Sequence, residues 1–236
     1  MEDKIRVGIL DDYQGIIDGY LYRLSGAPDI EVVATILFGE DLEPALAKQP
    51  VDVLILDVQI PTSQHNPNPY PILYIIPRLL EIYPNMVVLV ISMHTQRTLI
   101  NAVMEAGASG YIVKDDQATI RELASVVRTV AGGSIYMSQY AYMELKKSKT
   151  GALLQPLSPR QLEALSMCAA FPDASTAELS RKMNIANSTL RNLLSGAYLK
   201  LNVRTKAAAI ARARQMGLIT PEKPVPDVRT FQGKAH

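Results

Sequence analysis

Five side chains standing at the ends of short apolar runs could do chemistry together: Asp11, Asp12, Asp57, Ser92 and Lys114. Three carboxylates brought close repel one another unless a cation lies among them, and hard oxygen ligands with few protein contacts suit Mg²⁺. A carboxylate beside Mg²⁺, an ammonium and a hydroxyl is equipped for phosphoryl transfer. The cations neutralise charge on the equatorial oxygens while the carboxylate attacks in line. A second group lies further along, where Asn187, Ser188, Arg191, Asn192 and Ser195 share the outer face of a helical pattern. A short helix, a tight turn and a second helix with a polar, partly basic outer face suit the DNA major groove.

The elements that must hold the first group are readable as apolar runs at 5–10, 31–37, 53–57, 86–92 and 110–113, most of them rich in Val and Ile. Such runs predict strands buried on both faces. Between them Ile16, Ile17, Tyr20, Leu21 and Leu24 keep helical spacing up to Gly26. Leu99, Ile100, Val103 and Met104 repeat it up to Gly107, and Ile120, Leu123, Val127 and Val130 up to Gly132-Gly133. Strands alternating with helices predict an α/β fold, a doubly wound five-stranded parallel sheet. In such sheets functional groups gather at the carboxyl ends of the strands, where all five candidates fall. Residues 61–71, PTSQHNPNPYP, read as an unusually long loop, and Pro77 predicts a kink or late start in the run 72–82.

Composition bounds the rest. Of 236 residues, 48% are apolar and 20% charged, an ordinary globular balance. The opening MEDKIRVGIL lacks a basic-then-apolar leader, no apolar run spans a bilayer, and the single cysteine, Cys168, cannot form an internal disulfide. A cytoplasmic location with no membrane partner is expected. The net charge of +1 hides a split: residues 1–140 hold 17 acidic against 9 basic side chains, residues 141–236 hold 6 against 15. An acidic domain joined to a basic one predicts a nucleic-acid partner for the second. Residues 1–133 form the first domain, 134–156 a linker, 157–220 an all-α four-helix domain, and 221–236 a mobile tail.

Residues 4–133 resemble the receiver domain of bacterial two-component response regulators, through ILDD (9–12), LILDVQIP (54–61), LVISMH (89–94) and AGASGYIVKDD (106–116). The resemblance implies a flavodoxin-like fold. It implies that Asp57 accepts a phosphoryl group from a sensor histidine kinase, and that Asp11, Asp12, Asp57 and the backbone of Gln59 hold Mg²⁺. Ser92 and Lys114 would contact the phosphoryl oxygens, and Tyr111 would be the aromatic that rotates when Ser92 moves. Gln59 and His94 occupy positions that tune dephosphorylation in this family. Two departures stand out: Ile60 where Met is usual, and the long loop after Pro61, which lacks the usual glycine and faces the phosphorylation site.

Residues 157–219 resemble the LuxR-type output domain of the NarL/FixJ subfamily, through LSPRQLEAL, ELSRKMNIANSTLRNLLS, LKLNVRTKAAAIARA and GLI. By position, Arg191, Asn192 and Ser195 would face base edges, and Thr189, Lys200, Arg204 and Lys206 phosphates. Asn184 and Asn202 replace customary glycines. Ala186 replaces a customary Ser cap, so Asn187 or Ser188 is expected to cap one residue later. The implied protein is a phosphorylation-switched transcriptional regulator that binds paired half-sites in double-stranded DNA as a homodimer. It is no enzyme beyond its own phosphorylation and dephosphorylation. One rival keeps DNA binding, drops phosphorylation, and has the receiver and its 61–71 loop take another input. A remoter one is a Mg²⁺-dependent phosphohydrolase with an aspartyl nucleophile, which would need a second Asp where Gln59 stands.

Overall fold

A computed structural model of the chain describes residues 4–146 and 156–222. The rest of the expected linker and tail, 147–155 and 223–236, lies outside the described residues. The first half runs β1 (Ile5–Leu10), α1 (Gln14–Leu24), β2 (Ile30–Ile36), α2 (Leu42–Lys48), β3 (Val53–Leu56), β4 (Pro61–Ser63), β5 (Asn66–Pro69) and α3 (Ile72–Ile82). It continues with β6 (Val87–Ser92), α4 (Arg97–Glu105), β7 (Gly110–Val113), α5 (Gln117–Arg121), α6 (Leu123–Ala131), β8 (Tyr136–Met137) and α7 (Gln139–Lys146). The second half is helical: α8 (Pro159–Ala170), α9 (Thr176–Lys182), α10 (Asn187–Leu201) and α11 (Lys206–Gln215). No helix among the described residues is long and apolar enough to cross a membrane.

The main sheet has the order β2-β1-β3-β6-β7-β8, every pair parallel. Alternate residues of each strand feed opposite cores. Val7 and Ile9 of β1 pack under α1 and α6, whereas Leu10 joins the core beneath α2, α3 and α4. Gly107 (φ 106°) and Gly133 (φ 83°) end their helices in the left-handed region, as the sequence predicts.

Three features depart from the sequence reading. The sheet has six strands, not five, because the expected linker turns back along β7. Tyr136 donates its N–H to the Ser109 carbonyl at 3.0 Å and Ser138 to that of Tyr111 at 3.0 Å, while the buried Ser138 hydroxyl accepts from Val113 N–H at 3.2 Å. Two residues of strand are too few to show a period, but they satisfy the backbone groups of what would be an open edge. Residues 61–69 are not a loop but the antiparallel hairpin β4–β5, with Pro61 opposite Pro69 and Ser63 opposite Asn66. Its turn is held by side chains: Ser63 Oγ accepts from the N–H groups of His65 and Asn66, and Asn66 Oδ1 from that of Asn68. Of the kink or late start expected at Pro77, the late start does not occur: α3 starts at Ile72 and runs through Pro77.

In the helical half, Ser158 and Ser175 each build a reciprocal capping box, with Gln161 and Glu178 as third-residue partners. Asn184 (φ 51°) turns the chain between α9 and α10, and Asn202 (φ 55°) ends α10, both in the left-handed conformation that Asn tolerates. The shifted cap does not occur: α10 begins at Asn187 behind Ala186, with no side-chain cap. The core beneath α3 continues unbroken into this half, through Leu165 and Cys168 of α8 to Leu190 and Leu194 of α10. Burial raises the Cys168 thiol to about 11, as for a small apolar core residue.

Candidate functional site

β1, β3, β6 and β7 end along one edge of the sheet, and the residues at their ends deliver the chemistry. Asp11 and Asp12 follow β1, Asp57 follows β3, and one oxygen from each of the three carboxylates lies within 4.8 Å of the others. Lys114 follows β7 and its Nζ reaches Asp11 Oδ2 at 2.6 Å and Asp57 Oδ2 at 2.8 Å. All three members of that bridge are nearly closed off: Asp11 is 2% exposed, Asp57 7%, and the Lys114 side chain 11%. Tyr13 N–H donates to Asp11 Oδ1 at 3.0 Å, and Gln59 N–H to Asp57 Oδ1 at 3.3 Å.

The electrostatics follow from burial. Desolvation raises the Asp11 carboxyl above the usual range, against the pull of Lys114. Burial alone would lower the Lys114 ammonium, but the Asp57 charge and the Asp11 hydrogen bond outweigh it and hold its pKa above the ordinary value. The lysine therefore stays charged. Burial lowers the His94 imidazole, so that ring is neutral near the site. The Gln59 amide nitrogen and His94 Nε2 are buried with no hydrogen-bond partner among the described residues. Three clustered carboxylates, two of them almost dry, with one lysine among them, form a donor set that a hard divalent cation fits.

Ser92 closes β6, fully buried, and its hydroxyl accepts from His94 N–H at 3.3 Å. Tyr111 points inward: its ring is fully buried, its hydroxyl donates to the His94 carbonyl at 2.8 Å, and its own carbonyl accepts from Ser138 N–H.

The long insertion makes contacts at both of its ends. Its hairpin is anchored at the base, where Tyr70 N–H donates to Ile60 O at 2.7 Å and the Tyr70 ring covers Gly39. Its other end reaches the helical half, with Asn66 Nδ2 donating to the Ala170 carbonyl at 2.9 Å.

On α10, Leu190, Leu194, Ala197 and Leu201 face the core. Ser188, Thr189, Arg191, Asn192 and Ser195 are exposed and Asn187 is half-buried, so the polar face of this helix is open. Arg204 is exposed beyond it. Lys200 and Lys206 are half-buried, and their ammonium groups lie against nearby oxygens. Lys200 Nζ donates to the Pro156 carbonyl at 2.8 Å and to Gln161 Oε1 at 3.1 Å, and Lys206 Nζ donates to the Pro172 carbonyl at 2.5 Å and that of Ala174 at 3.3 Å.

Comparison with known proteins bears on both halves. Residues 7–126 match the response regulator receiver domain, and residues 155–213 match the bacterial regulatory proteins of the luxR family. The transcriptional regulatory protein MctR of Rhizobium johnstonii is 28% identical over 218 residues, covering 92% of this chain and 96% of that protein. DegU of Brevibacillus brevis, also a transcriptional regulatory protein, is 25% identical over 241 residues with the same coverage. Among solved structures, RcsB from Salmonella enterica serovar Typhimurium aligns over 89% of this chain and 98% of its own with a TM-score of 0.61 and 19% identity, which speaks for the fold. This chain belongs to the response regulators of the NarL/FixJ type, a receiver domain followed by a LuxR-type helix-turn-helix domain.

Proposed function

We propose that this chain is a DNA-binding transcriptional regulator switched by a phosphoryl group on Asp57. The observation that carries the reading is the Lys114 bridge to Asp57 and Asp11 inside a cluster of three carboxylates. Asp57 Oδ bonds to phosphorus as the donor's P–N bond breaks and the imidazole nitrogen of a sensor histidine kinase leaves with the electron pair. Asp11, Asp12, Asp57 and the Gln59 backbone would hold Mg²⁺, which when bound supplies charge neutralisation for the phosphoryl oxygens. Lys114, charged and aimed at Asp57, follows the new negative charge onto a phosphoryl oxygen, and Ser92 donates to another. Gln59 and His94 flank the same cluster and set how long the acyl phosphate lasts.

The output is read by α10. Arg191, Asn192 and Ser195 face base edges, while Ser188, Thr189 and Arg204 meet the backbone. RcsB has been solved as dimers bound to DNA, and a homodimer on paired half-sites is the matching arrangement here. Residues 1–133 extended by β8 and α7 form the receiver, and 157–220 the output domain.

Acetyl phosphate with Mg²⁺ tests the reading: intact mass should rise by one phosphoryl, and Asp57→Asn or removal of Mg²⁺ should abolish the gain. A folded, full-length sample that never gains mass would shift the input to the β4–β5 hairpin.

A further inference from the structure

An α/β sheet covered by amphipathic helices shows water the polar side of each helix. The first half of α3 does not: Ile72, Leu73, Tyr74, Ile75 and Ile76 are all buried, more than a full turn, so every direction around this part of the helix is covered. Its partner is equally unusual. In α8 the ten consecutive residues 161–170 are buried, the helical core taking one side and α3 with the hairpin the other.

Receiver side chains also complete the output domain's helix ends. The last carbonyls of a helix have no intrahelical partner. Asn66 on the hairpin donates to Ala170, the last residue of α8. The Tyr74 hydroxyl donates to Lys182, the last residue of α9, at 2.8 Å. Thr98 Oγ1, at the start of α4, lies 2.8 Å from the carbonyls of both Met216 and Gly217 behind α11, its single O–H shared between them. At Gly217 (φ 63°) a Cβ would lie 2.8 Å from Gln96 Cβ, so the two halves touch there backbone to side chain. Three of the four output helices end on the receiver, yet the polar face of α10 stays open to solvent.

We propose that this regulator works with its domains seated together: the receiver is a permanent part of the DNA-binding body, and phosphorylation acts by shifting the docked pair through the hairpin and the start of α4, not by releasing the output domain. The proposal rests on the reading of Asp57 as phosphoacceptor and α10 as the DNA-reading helix. Both contact points follow the site directly in sequence, the hairpin after Asp57 and Thr98 after Ser92.

The test uses the full-length protein with a site-specific protease sequence inserted after Lys149, cleaved once the chain has folded. The two halves should co-elute as one particle, remain together after acetyl phosphate and Mg²⁺, and be recovered in equal amounts from DNA. Separation on cleavage, separation on phosphorylation, or DNA that retains the output half alone overturns the proposal. Tyr74→Phe and Thr98→Val keep shape and remove one cap each, and each should weaken association of the halves by about fivefold. Unchanged association in both would also overturn it. Absence of phosphoryl gain or of DNA binding in the uncleaved chain counts against the functional reading instead, and co-elution of the halves still decides the docking.

Discussion

Lys114 holds Asp57 and Asp11 at once, its Nζ 2.8 Å from one carboxylate and 2.6 Å from the other. The ammonium is what allows two buried carboxylates to face each other without a metal. Removing it leaves both charges desolvated and mutually repelling, a loss of about 3 kcal/mol by the usual cost of breaking a buried pair. Lys114→Ala should therefore melt well below the parent in chelator, and added Mg²⁺ should raise its melting temperature more than it raises the parent's. Thermal unfolding with and without Mg²⁺ checks this. Equal Mg²⁺ shifts in the two proteins would count against the carboxylate cluster as the metal site.

The basic residues of the output domain should divide into two classes. Arg191 is exposed on α10, and a bidentate contact to guanine discriminates by about 1–3 kcal/mol. Arg191→Ala should flatten preference at one base position per half-site. Arg204→Ala should weaken all sequences alike and reduce the salt slope by about 1. Lys206→Ala should leave the salt slope alone and lower stability by about 1–2 kcal/mol, because its ammonium is tied to carbonyls behind α8. Selected-site competition at several salt concentrations, beside urea titrations, separates these outcomes.

Glu163 predicts a pH dependence. Burial on α8, with Glu81 of α3 also raising it, lifts its carboxyl above the usual range despite the Arg160 ion pair at 2.8 Å. The folded state thus binds more protons than the unfolded one between the ordinary and the raised pKa. Its contribution is complete below the ordinary carboxylate pKa and declines as pH rises through the raised value. Glu163→Gln does not titrate, so its melting temperature relative to the parent should climb from pH 4.5 to 7.5. A flat difference over that range would sink the assignment.

Gly39 and Tyr70 should behave as one unit. A Cβ at Gly39 would lie 2.1 Å from the Tyr70 ring, which must then leave its place at the base of the hairpin. Gly39→Ala should cost about 1–3 kcal/mol, as overpacking does. Combined with Tyr70→Ala, which opens that space, it should cost far less than the sum. Urea unfolding of the two single variants and the double variant measures the coupling.

The parallel strands and the cluster at their ends were legible because buried strands must be Val- and Ile-rich runs, and the strand-end rule then aligns Asp11, Asp57 and Lys114 without knowledge of packing. The hairpin was not legible. It is held by Ser63, Asn66 and Thr62, whose hydroxyl donates to the Asn68 carbonyl, and such side-chain bonds leave no apolar period. The docking of the two halves was hidden for the opposite reason. In ILYII every position is apolar, so periodicity cannot say that a second layer waits outside α3. Nor could the pattern show that the Lys200 and Lys206 ammonium groups reach carbonyls left over at helix and loop ends.

The apolar coat on α3 bears on how such a regulator can evolve. Receiver and output modules are exchangeable in principle wherever a polar seam divides them. Here a recombination that gave this receiver a new partner would leave Tyr74 and its neighbours facing water, and would strand the carbonyl ends of three helices in the domain it abandoned. A substitution on one side of this seam therefore calls for a matching one on the other.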